Sequence, residues 1–198
     1  MAAYTTIDNP ELYFQTKIYT GDGNDNRAIT FDGSEDMQPD FLWFKNRGAT
    51  AWHNLYDSVR GANKALASNA YNAEESRSDT LDSFDSNGFT VGNDTSQSPN
   101  GLNTNASTHT YVCWAWKAGT TGSGTTTGSG TGQSYSYSVN TTSGFSIMTY
   151  TGNGTANHTI PHHLGSTPEM FWVKIRSGDN NNWGTYHHKS NANPEQYA

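Results

Sequence analysis

Cysteine occurs once in this 198-residue chain, as Cys113. An intrachain disulfide is therefore excluded, and a small buried hydrophobe is the expected role for that side chain. Charge is sparse too: 11 Lys and Arg stand against 18 Asp and Glu, for a net charge of −7. The cations are scattered and form no basic run, so neither nucleic acid nor an anionic membrane is an expected partner. No apolar run approaches the ~20 residues that cross a bilayer, and membrane insertion is not expected. The opening residues, Met1-Ala-Ala-Tyr-Thr-Thr-Ile-Asp8, carry neither the basic segment nor the apolar core of a signal peptide. A helical period of 3.6 is also missing from every stretch of useful length, which excludes a helical fold.

Asn, Ser, Thr and Gly fill the space that charge and aliphatic residues leave, and aromatics reach 13%. Strands joined by polar turns suit that mixture, with aromatic rings supplying much of the core. The six Trp, 11 Tyr and 8 Phe carry too much apolar surface for a disordered chain.

The chain repeats itself. Residues 39–47, Pro-Asp-Phe-Leu-Trp-Phe-Lys-Asn-Arg, return as Pro-Glu-Met-Phe-Trp-Val-Lys-Ile-Arg at 168–176. Trp52 and Tyr56 answer to Trp183 and to Tyr186 or His187. Upstream, Phe14 and Tyr19-Thr-Gly-Asp-Gly23 match Phe145 and Tyr150-Thr-Gly-Asn-Gly154. Short periods of about 20–50 residues signal solenoids, whereas copies this far apart are the size of whole domains. The expected organisation is a leader at 1–13, a full domain at 14–117, a Gly/Ser/Thr linker at 118–134 and a partial second copy at 135–198. Residues 118–134 are expected to be flexible, or to be a loop stabilised by a neighbour.

Within the first copy, strands are expected at 11–20, 28–31, 41–45, 53–59, 64–68, 80–84, 89–91 and 109–117. Asn87-Gly88 marks a hairpin turn, residues 93–108 read as a polar loop, and some helical character is expected at 70–79. Many short strands with frequent turns indicate an all-β fold, a two-sheet sandwich of jelly-roll type.

The succession of Tyr19-Thr-Gly-Asp-Gly23, Pro39-Asp-Phe-Leu-Trp-Phe-Lys-Asn-Arg47, Leu55-Tyr-Asp-Ser-Val-Arg-Gly61, Asp85-Ser-Asn-Gly-Phe-Thr-Val-Gly92 and Tyr111-Val-Cys-Trp-Ala-Trp-Lys-Ala-Gly119 resembles a family of virion structural proteins from marine tailed phages. His162-His-Leu-Gly165 with Pro168-Glu169 is similar to another segment of those proteins, with His163 where their pattern has Gly. The resemblance implies concanavalin A-like sandwich domains, a virion location, and a role in a tail fibre, appendage or capsid decoration. It transfers no catalytic motif.

Acidic pairs and histidine clusters are the constellations that could carry chemistry. Glu35 with Asp36, Glu74 with Glu75, and Asp82 with Asp85 lie in polar, loop-like stretches, which favours solvated acids over a glycosidase pair. His158, His162, His163, His187 and His188 crowd the second copy but lack ligand spacing. Asp22, Asp25 and Asp32 lack a spaced calcium-ligand set. Neither catalytic residues, a metal nor a cofactor is expected, so the chain is not read as an enzyme. A glycan site is the functional alternative, placed on Trp52, His53, Asn54 and Asn103, which offer ring stacking and amide groups. Trp43, Trp172, Trp114 and Trp116 are expected in the core, with Trp114 and Trp116 on one strand face. An incomplete second sandwich would expose apolar surface, so assembly contacts are expected at Tyr4, Ile7, Trp172 and Trp183. The expected partners are other virion proteins, copies of the same chain in a trimer, and a host-surface glycan, with a polysaccharide depolymerase as the rival reading.

Overall fold

Polar turns break the chain into short segments whose alternating side chains settle into sheets. The structure is a computed structural model describing residues 7–95, 101–178 and 180–190. It opens with a 3-10 turn at Pro10–Leu12, where Asn9 caps by accepting the Glu11 N–H and Pro10 supplies the pre-set φ of a first helical position. The first copy then contains β1 (Phe14–Thr20), β2 (Arg27–Thr30), β3 (Phe41–Asn46), β4 (His53–Asp57), β5 (Lys64–Ala67), β6 (Glu75–Ser76), β7 (Leu81–Asp85), β8 (Gly88–Val91) and β9 (Thr110–Trp116). No helix forms at 70–79, where the short β6 pairs with β5 instead.

All pairings in the first copy are antiparallel. One sheet has the order β1-β9-β3-β4-β5-β6 and the other β2-β8-β7. β9, last of these strands in the sequence, inserts between β1 and β3 in the register Phe14↔Trp116↔Phe41. Every second residue of β3 and β9 points inward: Leu42, Phe44, Tyr111, Cys113 and Ala115 are all buried. Ile29, Leu81, Phe89 and Val91 from the smaller sheet meet them. Phe89 is the keystone, its ring edge-on to Phe44 at 5.1 Å and to Phe31 at 5.9 Å. A fully buried ring of this kind contributes about 1.5–3 kcal/mol relative to an exposed one. The two-sheet, all-β reading of the sequence therefore holds for this part of the chain, and Cys113 is buried and free.

The expected flexible linker is not one. Residues 120–125 form β10 (Thr120–Thr125), followed by β11 (Thr127–Gly128), β12 (Ser134–Asn140), β13 (Phe145–Tyr150), β14 (His158–Thr159), β15 (Met170–Val173) and β16 (Gly184–His187). β10 pairs with β12 in the register Gly122↔Tyr137 and Gly124↔Tyr135. The tyrosine rings lie over the glycines: a Cβ on Gly122 would come within 2.6 Å of Tyr137 Oη, and one on Gly124 within 2.7 Å of Tyr135 Oη. Aromatic cover of this sort makes a glycine-rich stretch a workable strand. A composition that reads as linker is thus the mould for two rings.

The second copy follows the element order of the first: β13, β14, β15 and β16 stand where β1, β2, β3 and β4 stand. Even the left-handed residues correspond, Gly23 and Asn26 against Gly154 and Asn157. Opposite Leu42 stands Tyr56, and opposite Phe171 stands Tyr186, so hairpin register matches Tyr56 to Tyr186 rather than to His187. Partners differ between the copies. β2 pairs with β8, whereas β14 pairs with β11, and β13 pairs with β12. The segment between the repeats thus supplies partner strands to the second.

Candidate functional site

The outward residues of β3 and β9 are Phe41, Trp43 and Lys45 against Trp116, Trp114 and Val112. They alternate with the core residues just described, so the strand period that buries Leu42 and Phe44 turns these side chains to the opposite face. Trp172, expected in the core, is 40% exposed, and Trp43, Trp114 and Trp116 are not core residues either. All three are half-buried on the outer face of the six-stranded sheet. β3 is apolar on both faces because both carry contacts: the inner face meets the second sheet, and the outer face meets the second copy.

That outer contact is made by rings. Trp43 and Trp114, directly paired across strands, have centroids 5.7 Å apart, and Trp172 of the second copy meets Trp43 edge-on at 5.6 Å. Trp43 and Trp172 are equivalent positions of the two copies. At the other end Phe145 stacks on Trp116 at 6.1 Å and meets Phe41 at 5.9 Å. Trp43 Nε1 is buried without a hydrogen-bond partner. The surface between is an open cleft of about 470 Å³ lined by Trp43, Lys45, His53, Trp114 and Trp116, within the usual span of small-ligand sites, about 300–1,000 Å³.

Two polar groups enter this aromatic cleft. Lys45 Nζ donates to the Asn46 carbonyl at 2.7 Å and makes no ion pair among the described residues, leaving donors of its ammonium for another acceptor. His53 stands directly across from Lys45 on β4. Desolvation, and then the Lys45 charge, hold its imidazole below the ordinary histidine pKa of 6.5, so at neutral pH it is an uncharged donor and acceptor.

Of the residues singled out for a glycan, only His53 lines this cleft. Trp52 packs against the inner core cluster. Asn54 is buried and donates Nδ2 to the Leu102 carbonyl at 2.8 Å. Asn103 donates Nδ2 to Asn93 Oδ1 at 2.8 Å and to the Asp94 carbonyl at 3.0 Å, fastening the polar loop. In the same loop Asn105 Nδ2 binds Asp22 Oδ1 and the Asn24 carbonyl, both at 2.7 Å. The NH2 groups of these amides are spent on backbone carbonyls and neighbouring side chains, while Asn54 Oδ1 is buried without a hydrogen-bond partner. The four residues do not form one site. Sequence reasoning missed the Trp43–Trp114–Trp116 surface with Lys45: alternation groups Trp43 with Lys45 on β3 and Trp114 with Trp116 on β9, without saying which face of either strand turns outward.

Of the expected assembly residues, Tyr4 lies outside the described residues and Ile7 is half-buried. Trp172 is 40% exposed even with its edge on Trp43. Trp183 Nε1 donates to the Ala67 carbonyl at 2.9 Å, so both tryptophans tie the second copy to the first. An ion network does the same. Arg60 Nε binds Asp57 Oδ2, Arg60 Nη1 reaches Glu74 Oε2 at 3.2 Å, and Arg176 grips Glu74 through two bonds at 2.8 and 2.9 Å. Burial raises the Glu74 pKa, but hydrogen bonds and charge from Arg176 and Arg60 outweigh it and leave the carboxyl below its ordinary value.

The histidines of the second copy have structural partners: His163 stacks on Tyr137 at 3.8 Å, and His158 Nδ1 lies 2.7 Å from Asn153 Nδ2. Among the described residues no three His, Cys, Asp or Glu side chains converge so as to hold a metal ion. No helix among them is long and apolar enough to cross a membrane.

No curated protein and no solved structure matches the chain. One family model does, over residues 9–197, and the chain belongs to the family described as a domain of unknown function, DUF7483.

Proposed function

We propose that this chain is a structural protein of a tailed-phage virion, a component of a tail fibre, appendage or capsid decoration, working by assembly and host-surface adhesion without turnover. The virion location rests on the resemblance in the repeated motifs. The binding role rests on one observation, the ring-lined outer face of the six-stranded sheet. A glycosidase cleft is arranged around two facing carboxylates, whereas Trp43, Trp114, Trp116, Lys45 and His53 offer stacking surface and hydrogen-bond donors. That lining supports binding over hydrolysis, and a jelly-roll or concanavalin A-like sandwich is the finer fold that suits it.

Self-association is part of the proposal. Met170, Phe171, Trp172, Val173 and Ile175 are each between 38% and 49% exposed, an apolar concentration that monomeric surfaces rarely leave open, and a closed trimer would cover it. Antibody labelling of purified phage particles, viewed by electron microscopy, tests the location. Label on tail or head appendages is the expected result, and particles free of the chain would overturn it. A purified chain that sediments as a monomer at every concentration would remove the trimer.

The alternative of a polysaccharide depolymerase predicts shortened polymer after incubation with the chain. A free-standing lectin predicts saccharide binding with no particle association.

A further inference from the structure

We infer that the outer cleft is a saccharide site, and that the sugar it takes carries a carboxylate. The inference deepens the adhesive reading above and rests on it. Trp43, Trp114 and Trp116 give the cleft an apolar lining fixed by sheet register rather than by loops. On its β1 flank Trp114 is paired with the small Thr16, which stands between Phe14 and Ile18 on the same face, 37% and 61% exposed. Sugar rings present C–H faces to such indoles and their polar groups to the rim, as amphipathic rings do at other interfaces.

The rim decides the class. The Lys45 ammonium lines the cleft together with three tryptophans and has a backbone carbonyl as its hydrogen-bond partner, with no carboxylate paired to it among the described residues. An ammonium only donates, so its complement is an acceptor, and the strongest acceptor is an anion. His53, held neutral beside it, adds one donor and one acceptor suited to a hydroxyl. The second copy offers a contrast in the same position. There Lys174, the counterpart of Lys45, spends Nζ on the carbonyls of Tyr71, Ile175 and Asn181 at 3.0, 3.2 and 2.7 Å. The same repeat position is saturated in one copy and open in the other, where the rings are. With a net charge of −7 the chain as a whole repels polyanions, so selectivity falls to this short-range contact rather than to steering.

Isothermal titration calorimetry of the full chain, with a trisaccharide of galacturonate and its neutral galactose analogue as probes, tests the inference. The acidic trisaccharide is expected to bind and to perturb tryptophan emission, with the neutral one about tenfold weaker. Lys45→Gln should remove that tenfold preference, about 1.4 kcal/mol, by weakening the acidic probe more than the neutral one. Trp114→Ala should abolish both, and Trp114→Phe should restore part, with melting curves confirming that each variant folds. Equal binding of the two probes, or indifference to Lys45→Gln, overturns the carboxylate. Absence of binding to either by the folded wild-type chain overturns the saccharide site, while particle labelling still decides the virion reading separately.

Discussion

Arg60 shows how much of this molecule rests on a few polar side chains. It joins Asp57 and Glu74, and through Glu74 it reaches Arg176 of the second copy; the Arg60 and Asp57 side chains are 4% and 7% exposed. Replacing one member of a buried network leaves the others uncompensated, typically at about 3–5 kcal/mol. Arg60→Met should therefore lower stability by about 3 kcal/mol, measured by urea unfolding. Acid acts on the same group. Because the Glu74 pKa is depressed on folding, its contribution is complete above the ordinary value of 4.5 and is lost as pH falls through the lower folded value. Unfolding midpoints should fall across that acid window, and less steeply in Glu74→Gln, which has no such proton to take up. None of this was legible in the sequence, where Glu74-Glu75 looks like a solvated acidic loop. Its arginines lie 14 and 102 positions away, and no periodicity links residues so far apart.

At the scale of the element, strands were legible where aromatic and β-branched residues alternate. β3, β4, β8 and β9 fall close to where the pattern puts them. Which face each strand shows was not legible for β3 and β9. Period 2 separates Leu42 and Phe44 from Trp43 and Lys45, but both sets contain aromatic rings, so alternation alone does not say which set meets the second sheet. β10 was missed for another reason. Its glycines have no intrinsic strand preference, and the rings that order them belong to β12. Gly122→Val should thus cost about 1–3 kcal/mol, the penalty of overpacking, because its Cβ would strike the Tyr137 ring. Gly152, with nothing near its Cβ, is the control, and Gly152→Ala should leave the melting temperature nearly unchanged.

For the whole molecule, duplication was the most legible feature and docking of the copies the least. Phe14, Trp43 and Gly23 announce their counterparts by spacing alone. That Trp172 would seat against Trp43, and Phe145 against Trp116, depends on sheet curvature and on partner strands from residues 118–140. Trp172→Ala should loosen this junction while sparing the inner core: amide hydrogen exchange should quicken in β15 and β16 and stay slow in β3 and β9. Uniform quickening would mean that the copies are one cooperative unit. The proposed binding at the outer tryptophan face leaves the partner chemically unchanged. Its most direct test incubates the full chain with a panel of acidic and neutral polysaccharides, reading tryptophan emission and then the length of the recovered polymer. A saturable change in emission with polymer of undiminished length is the predicted result; shortened polymer, or emission unmoved by every member of the panel, would contradict it.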